Sequence, residues 1–266
     1  MQISEQKLVE EALEEVGIRH GDIVLVHSDS TAIREFTGLM WGEALNLLKE
    51  CFLNVLGESG TLLVPTFNWD FCKGKPYSHE RTRSQVGMFT NNVLFDERSI
   101  RSFHPIYSFA AIGPATRDLF SNISKSSFGE NSVFHGLHKI NAKIVFFNIS
   151  FEKCTFIHYV EQSKGISYRF LKQFTGNVTI GDKEYIDSYD FYARYLERDI
   201  HPYFRRLSDK LLSKKKIHES TLNGKYPILL SRCDDIFNYA MIGMESDPYY
   251  LIENPPKHSI KDSKND

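Results

Sequence analysis

The sequence predicts an α/β fold: a single large domain over residues 1–254, with a central mixed sheet flanked by helices and a helical C-terminal part, followed by a flexible tail at 255–266. Three observations predict it. Helical and strand-like patterns alternate from the N-terminus onward, the early strand-like runs are apolar throughout, and the chain of 266 residues has enough length for a sizeable core. A run such as Asp22-Ile-Val-Leu-Val-His27 has no polar face, which suits a strand covered on both sides.

The elements follow in order. Leu8, Val9, Ala12, Leu13 and Val16 recur at helical spacing, with Ser4 placed to cap the helix and Gly17 to stop it. The first strand follows at once. Trp41, Ala44, Leu45, Leu48, Phe52, Val55 and Leu56 then repeat helically up to Gly57, and Thr61-Leu-Leu-Val-Pro65 reads as a second buried strand. After Pro65 the chain turns polar and aromatic, in a connection long enough to border a functional site. Further strands are expected at Tyr107 to Ile112, Ala142 to Ile149 and Asn177 to Ile180, and helices at Cys154 to Lys164, Arg194 to Lys215 and Asp235 to Glu245. The tail at 255–266 holds almost nothing to bury.

Composition narrows the function. The 32 basic and 34 acidic residues leave a net charge of −2, so no global attraction to nucleic acid or anionic lipid is expected. No run approaches the roughly 20 apolar residues of a membrane span, and the N-terminus lacks a secretory apolar run, which suggests a cytoplasmic protein. Cys51, Cys72, Cys154 and Cys233 form no C-x-x-C pair and are expected to be reduced thiols. His135 and His138 have ligand-like spacing, but no second pair completes a zinc set, so no metal is expected.

The segment Cys154-Thr-Phe-Ile-His158-Tyr-Val-Glu161 carries the most chemistry. On a helix, His158 and Glu161 share a face, and a carboxylate there can orient an imidazole for general-base work near neutral pH. Alone, the pair reads first as an ordinary surface contact.

Its neighbours extend the pattern: Gly21-Asp-Ile-Val-Leu-Val-His-Ser28, Gly60-Thr-Leu-Leu-Val-Pro-Thr-Phe67, Ser84-Gln-Val-Gly87, Arg101-Ser-Phe-His-Pro-Ile-Tyr-Ser108, Ser127-Phe-Gly-Glu130 and an ending from Phe237 through Pro248. In this order the blocks closely resemble the aminoglycoside 3-N-acetyltransferase family across nearly the whole chain. The resemblance implies transfer of an acetyl group from acetyl-CoA to an amine on an amino sugar. It gives His158 the role of base and Glu161 that of its orienting partner, and it implies a CoA site lined by Ser28, Ser30, Arg101, Ser102, His104 and Ser108. Hydroxyls can bond pantetheine amides and an arginine can meet a phosphate.

Asp70 and Glu130 are candidate contacts for acceptor amines, and Trp69 and Phe71 candidates for stacking on a sugar ring. The segment Asp29 to Thr37 departs from the family's glycine-containing loop, which leaves the acceptor open between an aminoglycoside and another amino sugar, nucleotide-linked included. Two rival readings remain: a covalent route through Cys154, four residues before His158, and a catalytically silent CoA-binding protein. A monomer or a homodimer is expected, with the small-molecule amine and CoA as partners.

Overall fold

A computed structural model describes residues 4–195 and 200–254; the tail expected at 255–266 lies outside the described residues. Helix α1 (Glu5–Glu15) starts where Ser4 accepts a hydrogen bond from the Lys7 N–H, and it buries Val9, Ala12 and Leu13. Strand β1 (Ile23–Ser28) follows, then helix α2 (Thr31–Thr37), helix α3 (Trp41–Leu56) and strand β2 (Thr61–Pro65). The segment read as a loop after β1 is thus mostly a short helix. The Asp29 carboxylate accepts from both the N–H and the hydroxyl of Thr31, and Gly38 ends the helix in the left-handed conformation with φ 68°.

The long connection after Pro65 holds a one-turn 3-10 helix (Phe71–Lys73) and strand β3 (Tyr77–Ser78) before helix α4 (Met88–Leu94) and strands β4 (Ile100–Arg101) and β5 (Phe109–Ile112). Helices α5 (Thr116–Phe120) and α6 (Val133–Lys139) lead to strand β6 (Lys143–Phe147), a second 3-10 turn (Phe151–Lys153) and helix α7 (Ile157–Lys164). The helix expected from Cys154 therefore begins three residues later.

The second half departs further from expectation. Strand β7 (Arg169–Ile180) extends well beyond the expected Asn177 to Ile180 and pairs with β8 (Lys183–Arg194) in a long antiparallel hairpin. Of the helix expected over Arg194 to Lys215, the described residues form helix α8 (Arg205–Ser213), and Arg194 instead closes β8. The C-terminal part also carries two strands, β9 (His218–Leu222) and β10 (Tyr226–Arg232), before helix α9 (Cys233–Ser246).

Seven strands form the main sheet in the order β4-β5-β2-β1-β6-β10-β9. The central β2, β1 and β6 are parallel, and the strands to either side run antiparallel, so the sheet is mixed as expected. Strands β3, β7 and β8 make a second, three-stranded sheet. Alternation along β1 divides the interior: Val24 and Val26 join α1 and α3 on one face, while Leu25 joins α6, α7 and α9 on the other. That two-sided burial is why β1, β2 and β6 read as unbroken apolar runs. Among the described residues no helix is long and apolar enough to cross a membrane.

Candidate active site

The chain leaves the C-terminal end of β6 through Asn148, which takes φ 52°, and passes through a 3-10 turn whose N–H at Glu152 is capped by Ser150. Phe156, Ile157 and Val160 then sink into the core and fix α7 by one face. This fixes His158, the second residue of the helix, beside the carboxyl ends of the parallel strands, the edge at which open α/β sheets bind ligands. Thr155 ties the segment to β1, its hydroxyl lying 3.4 Å from His27 Nε2.

His158 Nδ1 lies 2.7 Å from Glu161 Oε2, so the expected pair is made. The Glu161 side chain is fully enclosed, whereas 17% of the His158 side chain remains open. Phe128 meets the imidazole edge-on at 5.3 Å and Phe204 at 6.2 Å. The ring lines a recess of about 200 Å³ with Glu152, Lys153, Cys154, Thr155, Pro202 and Phe204. With Nδ1 given to a carboxylate, the ring donates there as the Nδ1–H tautomer, and Nε2 is the nitrogen left for chemistry.

Two further groups hold Glu161, and neither is evident from local spacing. The Tyr168 hydroxyl donates to Oε1 at 3.0 Å, and Arg169 Nε stands 2.8 Å from Oε2. Burial works against the Glu161 charge, but Arg169, His158 and Tyr168 together outweigh it and hold the carboxyl below its ordinary range. Burial, and after it the positive charge of Arg169, push the His158 pKa below its ordinary value, against the pull of Glu161. The imidazole is therefore neutral at physiological pH, the state a base requires.

The other expected site residues are distributed unevenly. Ser28 and Ser30 stand half-buried where β1 ends, one residue and three residues past His27, and the Ser30 side chain makes no capping bond to α2. The Arg101 block, implied to line a CoA site, is bonded within the chain. Arg101 is buried, with Nε donating to the Ser108 hydroxyl at 3.0 Å and Nη1 to the carbonyls of His79 and Thr82 at 2.9 and 2.7 Å. Ser108 in turn donates to the Thr66 carbonyl, and Ser102 accepts from the Phe109 N–H. His104 Nδ1 accepts from the N–H groups of Ile106 and Tyr107. Arg101 and Ser108 thus tie β4 and β5 to the Thr66 carbonyl after β2, while Ser102 and His104 accept from backbone N–H groups of their own segment.

Asp70 is claimed by two lysines, Lys75 at 2.9 Å and Lys73 at 3.6 Å. Glu130 is exposed beside a separate shallow depression lined by His135, Tyr159 and Gln162. Phe71 is core, packed edge-on against Tyr189, while half-buried Trp69 leans on Tyr107. Cys154 lies outside α7 and is fully enclosed, with burial pushing its thiol up to about 12, which removes the premise of a shared helical face with His158. His135 Nδ1 accepts from the Asn131 N–H, and His138 stacks on Phe237 with its Nδ1 3.0 Å from the Tyr159 hydroxyl.

The pattern of the aminoglycoside 3-N-acetyltransferases matches residues 25–245, most of the chain and every site residue named above. The chain belongs to that family. Solved structures carry the same fold at low identity. The aminoglycoside acetyltransferase AAC(3)-Xa superposes with a TM-score of 0.79 at 15% identity, over 92% of this chain and 93% of its own. AAC-IIIb, solved as a binary complex with CoASH, gives 0.77 at 16% identity over 92% and 97%. AAC-VIa, solved bound to sisomicin, gives 0.76 at 17% identity over 92% and 98%. No curated protein matches the chain. Within the family's frame, the side chains missed by sequence reasoning are Glu152, Thr155 and Phe204 around the recess and Tyr168 and Arg169 behind Glu161. Glu152 and Thr155 had a signal, their nearness to His158 in the chain; the other three come from elements the sequence does not delimit.

Proposed function

We propose that this protein transfers the acetyl group of acetyl-CoA to an amino group of an amino-sugar acceptor by direct displacement, with His158 as general base and Glu161 as its orienting carboxylate. The observation that carries the reading is the 2.7 Å His158–Glu161 contact beside an open recess. Relatives bound to CoASH and to sisomicin supply the two substrate classes. In this reaction the amine nitrogen attacks the thioester carbonyl carbon and passes a proton to His158 Nε2, the carbon–sulfur bond breaks, and the sulfur leaves as CoA thiolate to be protonated. Glu161 stabilises the imidazolium that forms. Ser28 and Ser30 bond the donor at the end of β1. The Arg101, Ser102, His104 and Ser108 block shapes the wall behind them, and Glu130 offers the acceptor an exposed carboxylate where Asp70 is already paired.

A second acceptor reading has its own support. The recess brings one carboxylate, Glu152, and one ammonium, Lys153, beside His158, and Glu152 already accepts from the Phe204 N–H at 2.8 Å. That balance favours an acceptor with one amine and an anionic group, such as a nucleotide-linked amino sugar, over a polycationic drug. The test follows thiol release from acetyl-CoA in the presence of sisomicin, gentamicin and amino-sugar nucleotides, with wild type and His158→Ala. Release with one acceptor class and its loss in the variant are expected. Acetyl-CoA binding by calorimetry without turnover on any amine would overturn the reading in favour of a silent CoA-binding protein.

A further inference from the structure

The carboxylate that orients His158 is shared. Oε2 of Glu161 lies 2.7 Å from the imidazole Nδ1 and 2.8 Å from Arg169 Nε, so one oxygen serves two cationic or potentially cationic neighbours. The other oxygen takes the Tyr168 hydroxyl at 3.0 Å, and Arg169 Nη1 donates to the Tyr192 carbonyl at 3.2 Å. All of Glu161, Tyr168 and Arg169 are buried. An ion pair withdrawn from water this completely is costly to build, and a well-packed apolar replacement stabilises a fold about as well. Its position directly behind the base suggests a use.

The geometry points to Arg169 as a positioning residue for the transfer reaction: it divides the Glu161 charge with His158, keeping the imidazole neutral with Nε2 available to take a proton. The inference rests on the acetyl-transfer reading for its purpose, though not for its electrostatics. A bare His–Glu pair out of water would draw a proton onto the imidazole and leave it unable to accept another. With Arg169 on the far side, the carboxylate still holds the Nδ1–H and still steadies the transient imidazolium, but it no longer favours that cation in the resting protein. Tyr168 fixes the carboxylate plane so that Oε2, and not Oε1, faces the ring.

Among the described residues, charged and titratable groups stand around the ring on several neighbouring elements. Glu161 lies on its own helix, Arg169 on β7 and Arg194 on β8. Glu152, Lys153 and Cys154 precede α7, and the aromatic neighbours Phe128 and Phe204 carry no charge. Arg194 also lowers the His158 pKa, but it ranks behind Arg169 and donates to the Ile200 carbonyl.

The test is a side-chain NMR titration of His158 in the full chain, assigned with His158→Ala, for wild type, Arg169→Gln and Arg169→Lys, together with pH–rate profiles of acetyl transfer. Arg169→Gln is expected to raise the imidazole pKa by about 1 unit or more, the size of effect a neighbouring charge produces. The acid limb of kcat/KM moves up with it, so activity at pH 6 falls severalfold more than at pH 8. Arg169→Lys restores the charge and both titrations. A folded Arg169→Gln protein with an unmoved imidazole overturns the assignment, since a merely structural residue lowers kcat without moving the titration. If Arg169→Gln does not fold, Arg169→Lys decides: a titration close to wild type supports the assignment, and one close to that of free histidine overturns it. A shifted imidazole in a protein that acetylates no amine supports the electrostatic role and overturns the transfer reading alone.

Discussion

A histidine near the start of a helix is ordinarily wet, and His158 departs from that because Phe128 and Phe204 close over it while Glu161 and Arg169 lie behind it. Its lowered pKa has a sign that can be read in rate. A base works in its neutral form, so kcat/KM is expected to be flat through neutrality and to fall only below the ordinary histidine value of about 6.5. A profile measured from pH 5 to 8 checks this, and a limb at or above 7 contradicts it. His158→Ala is expected to lower kcat by about 10²–10⁴-fold, the range general-base catalysis contributes. Cys154→Ser is expected to turn over within about twofold of wild type, because a thiol pushed to about 12 and fully enclosed is no nucleophile. The pair His158 and Glu161 was legible because three residues on a helix make one contact. Arg169 was not, since it reaches the same oxygen from another element, and the bonds that the Arg101 block makes to carbonyls and N–H groups of its own chain are likewise not evident from a run of polar residues.

At the scale of elements, α1, β1, α3 and β2 are legible because their apolar positions repeat at 3.6 residues or run unbroken. Of the β7–β8 hairpin only the end at Asn177 to Ile180 was expected as strand. Most residues of β7 and of the first half of β8 are exposed or half-exposed, so the run from Lys172 to Asp187 resembles solvated loop, and only the tight turn at Gly181 betrays a hairpin. Strands β9 and β10 escape for a related reason: β9 sits at the sheet edge with His218, Glu219 and Thr221 outward. The junction of β5 and β2 offers a clean test of how closely elements approach. Gly113 takes φ 136°, and a Cβ there would lie 2.3 Å from the Gly60 carbonyl oxygen and 2.7 Å from Thr61 Cα, both backbone atoms that cannot step aside. Gly113→Ala is therefore expected to cost about 2 kcal/mol or more and to lower Tm by several degrees, read by thermal denaturation. An unchanged Tm would mean that the two strands separate freely at that end.

The whole molecule has two apolar layers on one sheet, and it buries two histidines that the fold keeps neutral. His27, stacked on Phe146 at 5.5 Å, and His104 are both buried, and burial lowers each pKa to about 4. His104 adds a geometric reason, since Nδ1 accepts two backbone N–H groups and a protonated nitrogen accepts none. Unfolded, both would titrate near 6.5, so across the interval from about 6.5 down to 4 the unfolded chain binds more protons than the native one. Stability is then fully present above that interval and drains away as pH falls through it, by about 3 kcal/mol for each histidine. Two such losses take a large share of the 5–15 kcal/mol that holds a typical domain folded. The depressed carboxyl of Asp96, which Arg98 and Lys49 hold ionised, adds its own loss only at still lower pH. Urea unfolding at pH 7.5, 6.0 and 5.0 is expected to show the midpoint falling steeply across the series. His104→Asn, which keeps a neutral acceptor beside the two N–H groups, should flatten that fall even if it starts from a less stable protein. A midpoint that holds steady from pH 7.5 to 5.0 would mean that water or a carboxylate reaches these rings, and that the packing around His27 and His104 is looser than their contacts imply.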